Sequence, residues 1–189
     1  MGWIDRVPRA GNLNIGGLYA LYQAEAIKQA DITHVLSVID FDLYELQESN
    51  NYLKSKNYKH HIIQIDDDPN ENLLQHFDGA VEFIKVGLKS GGGVFVHCAM
   101  GKSRSATIIC AYLMHEYGIS PDKALAQLRE GRGVCGPNPG FMEQLDTYHV
   151  ILKAKDAAEA TKIYEQWLET RFRGDHSEWE RRHHLPAKL

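Results

Sequence analysis

Cys98 and Arg104 carry the two kinds of side chain that phosphate-ester chemistry needs, and five residues separate them. The planar guanidinium of an arginine can bind two phosphate oxygens at once. A cysteine thiol at the start of a helix and beside cations ionises readily and becomes a nucleophile. The pair therefore predicts a thiolate beneath a bound phosphate ester, placed for in-line attack on phosphorus.

The flanking residues predict a strand before this pair and a helix after it. Gly91–Gly93 precede an apolar run that starts at Val94 and is rich in β-branched and aromatic residues, which is typical of a buried strand. From Ser105 to Met114 the residues are mostly apolar and indicate a buried helix. A loop between such elements directs backbone N–H groups and the positive end of the helix dipole at an anion. We expect the following residues to bind phosphate: Ala99, Met100, Gly101, Lys102, Ser103 and Arg104.

Two other interpretations fit this segment less well. The run Gly101-Lys102-Ser103 suggests a nucleotide-binding P-loop, but the Walker pattern would need a glycine at Val96. A buried structural cysteine is common among proteins, and Cys110 suits that role. Cys98 instead follows a predicted strand and lies in a polar turn beside an arginine, as reactive thiols do.

His97-Cys98, five further residues, Arg104 and Ser105 together resemble the signature of the cysteine-based protein phosphatases. The segment 12–152 resembles their dual-specificity branch. This resemblance implies a protein-tyrosine-phosphatase-like α/β fold, with a mostly parallel central sheet flanked by helices. It also implies hydrolysis of phosphotyrosine and phosphoserine/threonine in a phosphoprotein substrate through a phosphocysteine intermediate, with no metal or other cofactor.

The resemblance further implies roles for residues around the loop. Ser105 is expected to donate a hydrogen bond that helps the thiolate to leave, and His97 to support the loop from outside the phosphate site. Asn138 precedes Pro139, a pattern that predicts the N-cap and first residue of a helix. The resemblance adds that this asparagine supports the phosphate loop by hydrogen bonds, so capping and support both remain open.

The segment 58–65 predicts a strand that ends at the acidic run Asp66-Asp67-Asp68. Such a run before a proline is most simply a solvated loop. A thiolate phosphatase, however, needs a general acid that protonates the leaving oxygen. The resemblance places that acid on a loop after such a strand and, counted back from Asn72, favours Asp67. Asp66 and Asp68 remain the alternatives.

Hydrophobic periodicity predicts the other elements of an α/β fold. Strands are expected around 13–19 and over 33–39, helices over 22–30, 73–90 and 121–131, and a loop with an irregular helix over 40–55. The Cys98–Arg104 loop then lies at the carboxyl edge of the sheet, where such folds bind ligands.

Composition is that of a soluble globular protein, since 43% of the 189 residues are hydrophobic and 24% are charged. The net charge of −4 does not suggest a nucleic-acid partner, and no apolar run is long enough to cross a membrane. The three cysteines lack the spacing of zinc ligands. They suit a reducing compartment, which predicts the cytoplasm, the nucleus or both.

The chain divides into a long domain and a short C-terminal segment. We expect residues 1–152 to form the dual-specificity catalytic domain and residues 153–189 to form a C-terminal helix with a charged tail or linker. An apolar stripe at helical spacing, from Ala160 to Phe172, indicates that helix. Beyond Gly174 the residues are mainly charged, which is typical of a tail or linker.

Trp3–Val7 and the C-terminal helix resemble the fungal Yvh-type phosphatases and their animal counterpart, dual-specificity phosphatase twelve. Those proteins carry a C-terminal zinc-binding domain and act in assembly of the large ribosomal subunit, which implies pre-ribosomal particles as partners. No cysteine follows Cys135, so we expect the catalytic domain without its zinc domain. Two alternatives remain: a phosphate-binding scaffold with dispensable catalysis, and a phosphoinositide or RNA phosphatase. Lipid-directed relatives carry additional lysines in this loop, whereas this loop has only Lys102, which favours a phosphoprotein over a phosphoinositide.

Overall fold

A computed structural model describes residues 2–41 and 58–184, and its described strands form one sheet. These strands are β1 (Ile4–Arg6), β2 (Leu13–Gly17), β3 (Ile32–Ile39), β4 (Lys59–Gln64) and β5 (Gly93–Cys98). Their order in the sheet is β1-β2-β5-β3-β4. β1 pairs antiparallel with β2, and the other neighbouring strands pair in parallel. The predicted α/β fold with a mostly parallel sheet is confirmed.

Helices pack on both faces of this sheet. They are α1 (Ala24–Gln29), α2 (Phe77–Lys89), α3 (Arg104–Tyr117), α4 (Pro121–Gly131), α5 (Pro139–Ile151), α6 (Ala157–Thr170) and α7 (His176–His184), with 3₁₀ turns at Leu18–Tyr22 and Leu74–His76. No helix in the described ranges has the length and apolarity that a membrane crossing requires.

β5 lies at the centre of the sheet, and all of its residues are buried. Side chains alternate between the two faces of a strand. Val94 and Val96 accordingly belong to the main core, which α2 and α3 help to build, whereas Phe95 packs with Leu21 and Ile27 on the opposite face. This two-sided burial explains the continuous apolar run and fixes the carboxyl end of β5, where Cys98 lies.

α3 runs through the middle of the main core, as its apolar sequence predicted. Every residue from Arg104 to Met114 is buried, and Gly118 ends the helix in the left-handed conformation. Because the helix is enclosed, its N-terminus is held rigidly against the end of β5. That N-terminus directs its unpaired backbone N–H groups at the loop between the two elements.

The chain ends differ in part from expectation. Residues 4–6 form β1, a strand that is not among those predicted from the sequence. The predicted loop and irregular helix of residues 40–55 falls almost entirely outside the described residues. In the C-terminal segment, α6 forms as the apolar stripe predicted, and Tyr164 and Trp167 pack against the main core.

Within this charged segment, His176–His184 form the docked helix α7, where a tail or linker was expected. Asn70, in the loop after β4, donates from Nδ2 to the Gly174 carbonyl at 2.9 Å and accepts from Trp179 Nε1 at 3.1 Å. Trp179 is only 3% exposed, and its ring meets Phe172 edge-on at 4.8 Å. Two aromatic rings thus give this charged segment enough apolar surface to bury. A domain boundary at residue 152 stays a prediction.

Candidate active site

Cys98 ends β5, and its sulfur lies beneath the loop that leads into α3. Cys98 Sγ accepts a hydrogen bond from the Gly101 amide at 3.2 Å and another from Ser105 Oγ at 3.3 Å. The residue is 2% exposed. The two hydrogen bonds hold the sulfur at the base of the loop. The Gly101 amide, predicted as a phosphate ligand, therefore serves the sulfur.

The carbonyl groups of this phosphate loop (residues 98–104) are bound from outside by the connection between α4 and α5. Arg132 Nη2 donates to Met100 O at 3.1 Å, and its Nε donates to Gly101 O at 2.8 Å. The Gly136 amide donates to Lys102 O at 2.8 Å. In a trans peptide the N–H of the next residue points away from the carbonyl. Amides of the loop are thereby turned toward its concave side, where an anion would bind.

Gly101 is the position where the loop requires a glycine. Its φ is +66°, and a Cβ there would lie 2.3 Å from the carbonyl oxygen of Gly16. Any side chain would be strained by the left-handed backbone and would collide with β2. The loop can therefore close tightly against β2 only with glycine at this position.

Arg132 is a site residue that sequence reasoning missed. Its side chain is buried, and besides the two loop carbonyls it binds Asp5 Oδ2 at 2.5 Å and Gly2 O at 3.2 Å. One guanidinium thus joins the N-terminal segment to the phosphate loop. Most of its partners are backbone carbonyls, which every residue type carries. No sequence pattern could therefore identify Arg132 as a site residue.

Arg104 is buried at the first turn of α3, with one end of its guanidinium anchored. Nη1 donates to Ile65 O at 2.9 Å and to Asp40 Oδ1 at 3.1 Å. Burial raises the pKa of Asp40, but the hydrogen bonds to its carboxyl group, that from Arg104 foremost, and the charge of Arg104 together outweigh burial, so the pKa is lowered. Within the described part of the chain, Arg104 Nε has no hydrogen-bond partner. A buried N–H without a partner is costly, so this donor is available to a bound phosphate oxygen.

The three aspartates after β4 take different places. Asp66 hydrogen bonds with Asp40, which raises the pKa of Asp66. Asp68 accepts from a backbone amide two residues further on, at 2.7 Å, and shapes the turn. Asp67 Oδ1 accepts from Ser103 Oγ at 2.6 Å. The predicted acid is therefore tied to the phosphate loop, while its exposed carboxyl group faces solvent.

Asn138 caps α5 and also makes hydrogen bonds at the site. Its Oδ1 accepts from the Phe141 amide at 2.9 Å and caps α5, and its Nδ2 donates to Asp67 Oδ1 at 2.9 Å. Its backbone amide also donates to Ser103 Oγ at 3.0 Å. Asn138 thus links the acidic loop, the phosphate loop and α5 in one hydrogen-bonded group.

His97 is enclosed behind the loop and does not supply a positive charge. Burial lowers its pKa to about 3, so the ring is neutral at physiological pH. Its Nδ1 lies 3.3 Å from the Cys98 carbonyl, which only accepts, so Nδ1 carries the proton. Nε2 must then accept from Ser37 Oγ at 2.5 Å, and Ser37 Oγ accepts from His60 Nε2 at 2.8 Å. This chain of hydrogen bonds fixes the peptide that carries Cys98.

The two histidines should make the fold sensitive to mild acid. Burial lowers the pKa of His60 to about 4 and that of His97 to about 3, below their values in an unfolded chain. The unfolded chain therefore binds more protons below about pH 6.5, and stability falls as the pH drops. At pH 5 each histidine should cost about 2 kcal/mol, measurable by urea unfolding between pH 7 and 5.

His60→Gln provides the matched control, because glutamine can still donate to Ser37 without titrating. Its free energy of unfolding should fall less steeply with decreasing pH than that of the wild-type protein. The number of protons taken up on unfolding, which sets this slope, should be smaller by up to about one. An identical slope in both proteins would show that His60 does not carry this dependence.

The two remaining cysteines are structural in character. Burial raises the pKa of the Cys110 thiol, and it raises that of Cys135 to about 11. Among residues 2–41 and 58–184, no three His, Cys, Asp or Glu side chains are grouped in a way that could hold a metal ion. The arrangement that remains is a thiol below an anion-binding loop, flanked by a guanidinium and a carboxyl group.

Comparison with known proteins gives one consistent result. The family model described as the dual specificity phosphatase catalytic domain matches residues 17–151. The chain is 38% identical to dual specificity protein phosphatase 1B of Arabidopsis thaliana, over 72% of this chain and 77% of that protein. It is 32% identical to dual specificity protein phosphatase 1 of the same plant, over 80% of this chain and 74% of that protein.

A solved structure agrees with these relatives. The Yvh1 phosphatase domain from Chaetomium thermophilum superposes with a TM-score of 0.70 at 37% sequence identity. The match covers 82% of this chain and 99% of that domain. The segment that forms α6 and α7 lies beyond the residues that the family model matches.

Proposed function

The chain belongs to the dual specificity phosphatase family and is a cysteine-dependent phosphatase, and on this premise we propose that it hydrolyses phosphotyrosine and phosphoserine/threonine in proteins through a phosphocysteine intermediate. The observation that carries the proposal is the Cys98 sulfur, held by Gly101 and Ser105 at the base of an anion-binding loop. The partner is a phosphoprotein substrate.

In the first step the phosphate loop holds the three terminal oxygens of the ester. Arg104 Nε and loop amides other than that of Gly101 donate to these oxygens, so charge is stabilised as it moves onto them. The Cys98 thiolate supplies an electron pair to phosphorus, and the bond from phosphorus to the leaving oxygen breaks. Asp67, protonated at this stage, gives its proton to that oxygen, and the alcohol or phenol departs.

In the second step water attacks the phosphocysteine. The Asp67 carboxylate takes a proton from the water as the new P–O bond forms, and the S–P bond breaks. Ser105 donates its hydrogen bond to the returning thiolate, which makes the sulfur a better leaving group. Ser103 and Asn138, which both bind Asp67 Oδ1, position the carboxyl group for both steps.

The test is phosphate release from a panel of substrates in reductant without added metal. The panel holds peptides with phosphotyrosine, phosphoserine or phosphothreonine, a soluble phosphoinositide, and RNA with a 5′-phosphate. We expect turnover of the phosphopeptides and lower kcat/KM for the inositide and the RNA, because Lys102 is the one exposed cation of the phosphate loop. Hydrolysis of the inositide or RNA without hydrolysis of any phosphopeptide would overturn the proposal.

A second candidate function is suggested by the 37% identity to a Yvh1 phosphatase domain. In this proposal the chain acts in the nucleus or cytoplasm on pre-ribosomal particles of the large subunit, as a phosphate-binding scaffold whose catalysis is dispensable. A cell that carries only Cys98→Ser would then still assemble large subunits at the normal rate. Failure of assembly with this variant, together with normal phosphate binding, would favour the catalytic function.

A further inference from the structure

A cleft beside the phosphate loop is lined by exposed apolar side chains. It has a volume of about 460 Å³ and is bounded by Trp3, Tyr19, Ala99 and Met100, among others. Trp3 is 55% exposed, Tyr19 68% and Met100 75%. Single exposed apolar residues are common, but a contiguous group around a concave surface marks a binding site.

This cleft is continuous with the phosphate site, because Ala99 and Met100 belong to both. The Leu18 amide donates to Ala99 O at 3.0 Å. A Cβ on Gly17 would lie only 3.0 Å from the same oxygen, so the end of β2 is packed directly on the loop. The backbone of Tyr19, two residues after Gly17, is therefore held at a fixed position relative to the phosphate loop.

The opposite wall of the cleft is also fixed. Ile4, the residue directly after Trp3, pairs with Gly16 of β2 and thereby fixes the backbone next to Trp3. Arg132 binds both Gly2 O and Met100 O, so the same side chain fixes the backbone before Trp3 and the loop. Arg132 is buried and ion-paired with Asp5, so the described residues that line the cleft offer no available positive charge. The cleft is thus suited to an apolar group and not to a second phosphate.

We propose that this aromatic cleft (Trp3, Tyr19, Ala99 and Met100) binds a large apolar side chain of the substrate, two residues from the phosphorylated residue. The inference rests on the proposed function and adds a substrate preference to it. In an extended peptide, side chains two residues apart point to the same side, about 7 Å from each other. When the phosphorylated side chain enters the loop, its second neighbour therefore points toward the adjoining cleft.

A peptide fits this site better than the other apolar occupants. A nucleic acid would need several exposed cationic side chains that contact its phosphates. Of the two cations in the phosphate loop, Lys102 is exposed and Arg104 is buried, so the loop offers one. A lipid acyl chain would be apolar enough, but the family relatives act as protein phosphatases by name. Both occupants are included as outcomes of the test.

The experiment measures kcat/KM for phosphotyrosine peptides that carry Phe, Ser or Asp two residues before or after the phosphotyrosine. We expect Phe at one of these positions to raise kcat/KM about tenfold over Ser, as burial of roughly half an aromatic side chain would. Trp3→Ala and Tyr19→Ala should each reduce this preference to about twofold or less. Their kcat/KM for a small aryl phosphate, which lacks the second side chain, should equal that of the wild-type protein.

Tyr117→Ala is the matched control, because Tyr117 is 45% exposed at the far end of α3 from the loop. It should leave the preference intact. Equal kcat/KM for all peptides would overturn the cleft proposal but retain the proposed function, whereas no turnover of any phosphopeptide would refute the proposed function itself. A preference for long-chain phosphoinositides or for RNA that Trp3→Ala removes would assign the cleft to that ligand and overturn the proposal.

Discussion

Cys98→Ser is expected to abolish phosphate release while phosphate binding persists. A serine hydroxyl at this position would remain protonated and nucleophilically weak, although it would occupy nearly the same space as the thiol. We expect kcat for a phosphotyrosine peptide to fall by about 10⁴-fold or more, as for other enzymes that lose their nucleophile. Phosphate binding should change little, because Arg104 Nε and the loop amides do not depend on the sulfur. Stopped assays with radiolabelled peptide and calorimetry with inorganic phosphate measure the two quantities.

Cys110→Ala is the control for this prediction. Cys110 is buried in α3 away from the phosphate loop, and the substitution removes only one sulfur atom from the core. Its cost should appear in stability, at about 1–2 kcal/mol, and not in kcat. Persistent turnover by Cys98→Ser, or its loss in Cys110→Ala without unfolding, would contradict the assignment of the nucleophile.

The parts of this site that sequence could predict are those encoded by neighbouring residues. The buried run that begins at Val94, the turn after Cys98 and the apolar helix after Arg104 each follow from local pattern, and the structure forms all three elements. Their order alone places the thiol at the carboxyl end of a parallel strand and at the start of a helix. The N-cap role of Asn138 was equally local, since an asparagine before a proline suits only a few backbone positions.

The contacts that sequence could not predict join distant residues or involve backbone groups. Arg132 binds loop carbonyls and Asp5, and no spacing rule connects these residues. The docking of α7 depends on the contact between Trp179 and Asn70, which are far apart in the sequence. The many charged residues around Trp179 also gave no sign of a packed helix. His97 was expected near the site, but only its complete burial shows that it is neutral and acts through the Cys98 peptide.

Asp67→Asn should slow hydrolysis of poor leaving groups far more than that of good ones. Asparagine can still accept from Ser103 and Asn138 through its carbonyl oxygen, so the loop should keep its shape, but it cannot deliver a proton. We expect kcat/KM for a phosphotyrosine peptide to fall about 10²–10³-fold, the usual contribution of a general acid. For a fluorinated aryl phosphate, whose leaving oxygen needs no proton, the fall should be less than about tenfold.

The neighbouring carboxylates supply the matched controls for this last prediction. Asp66→Asn and Asp68→Asn alter the same loop, yet Asp66 hydrogen bonds with Asp40 and Asp68 with a backbone amide, so neither is tied to the phosphate loop through Ser103. Both variants should lower kcat/KM equally for good and poor leaving groups, and by less than about tenfold. A strong dependence on the leaving group in either control would move the general acid to that residue.

The second chemical step needs a separate measurement, because kcat/KM reports only the steps up to the first irreversible one. Slower hydrolysis of the phosphocysteine in Asp67→Asn should appear as a burst of the good leaving group before the steady state.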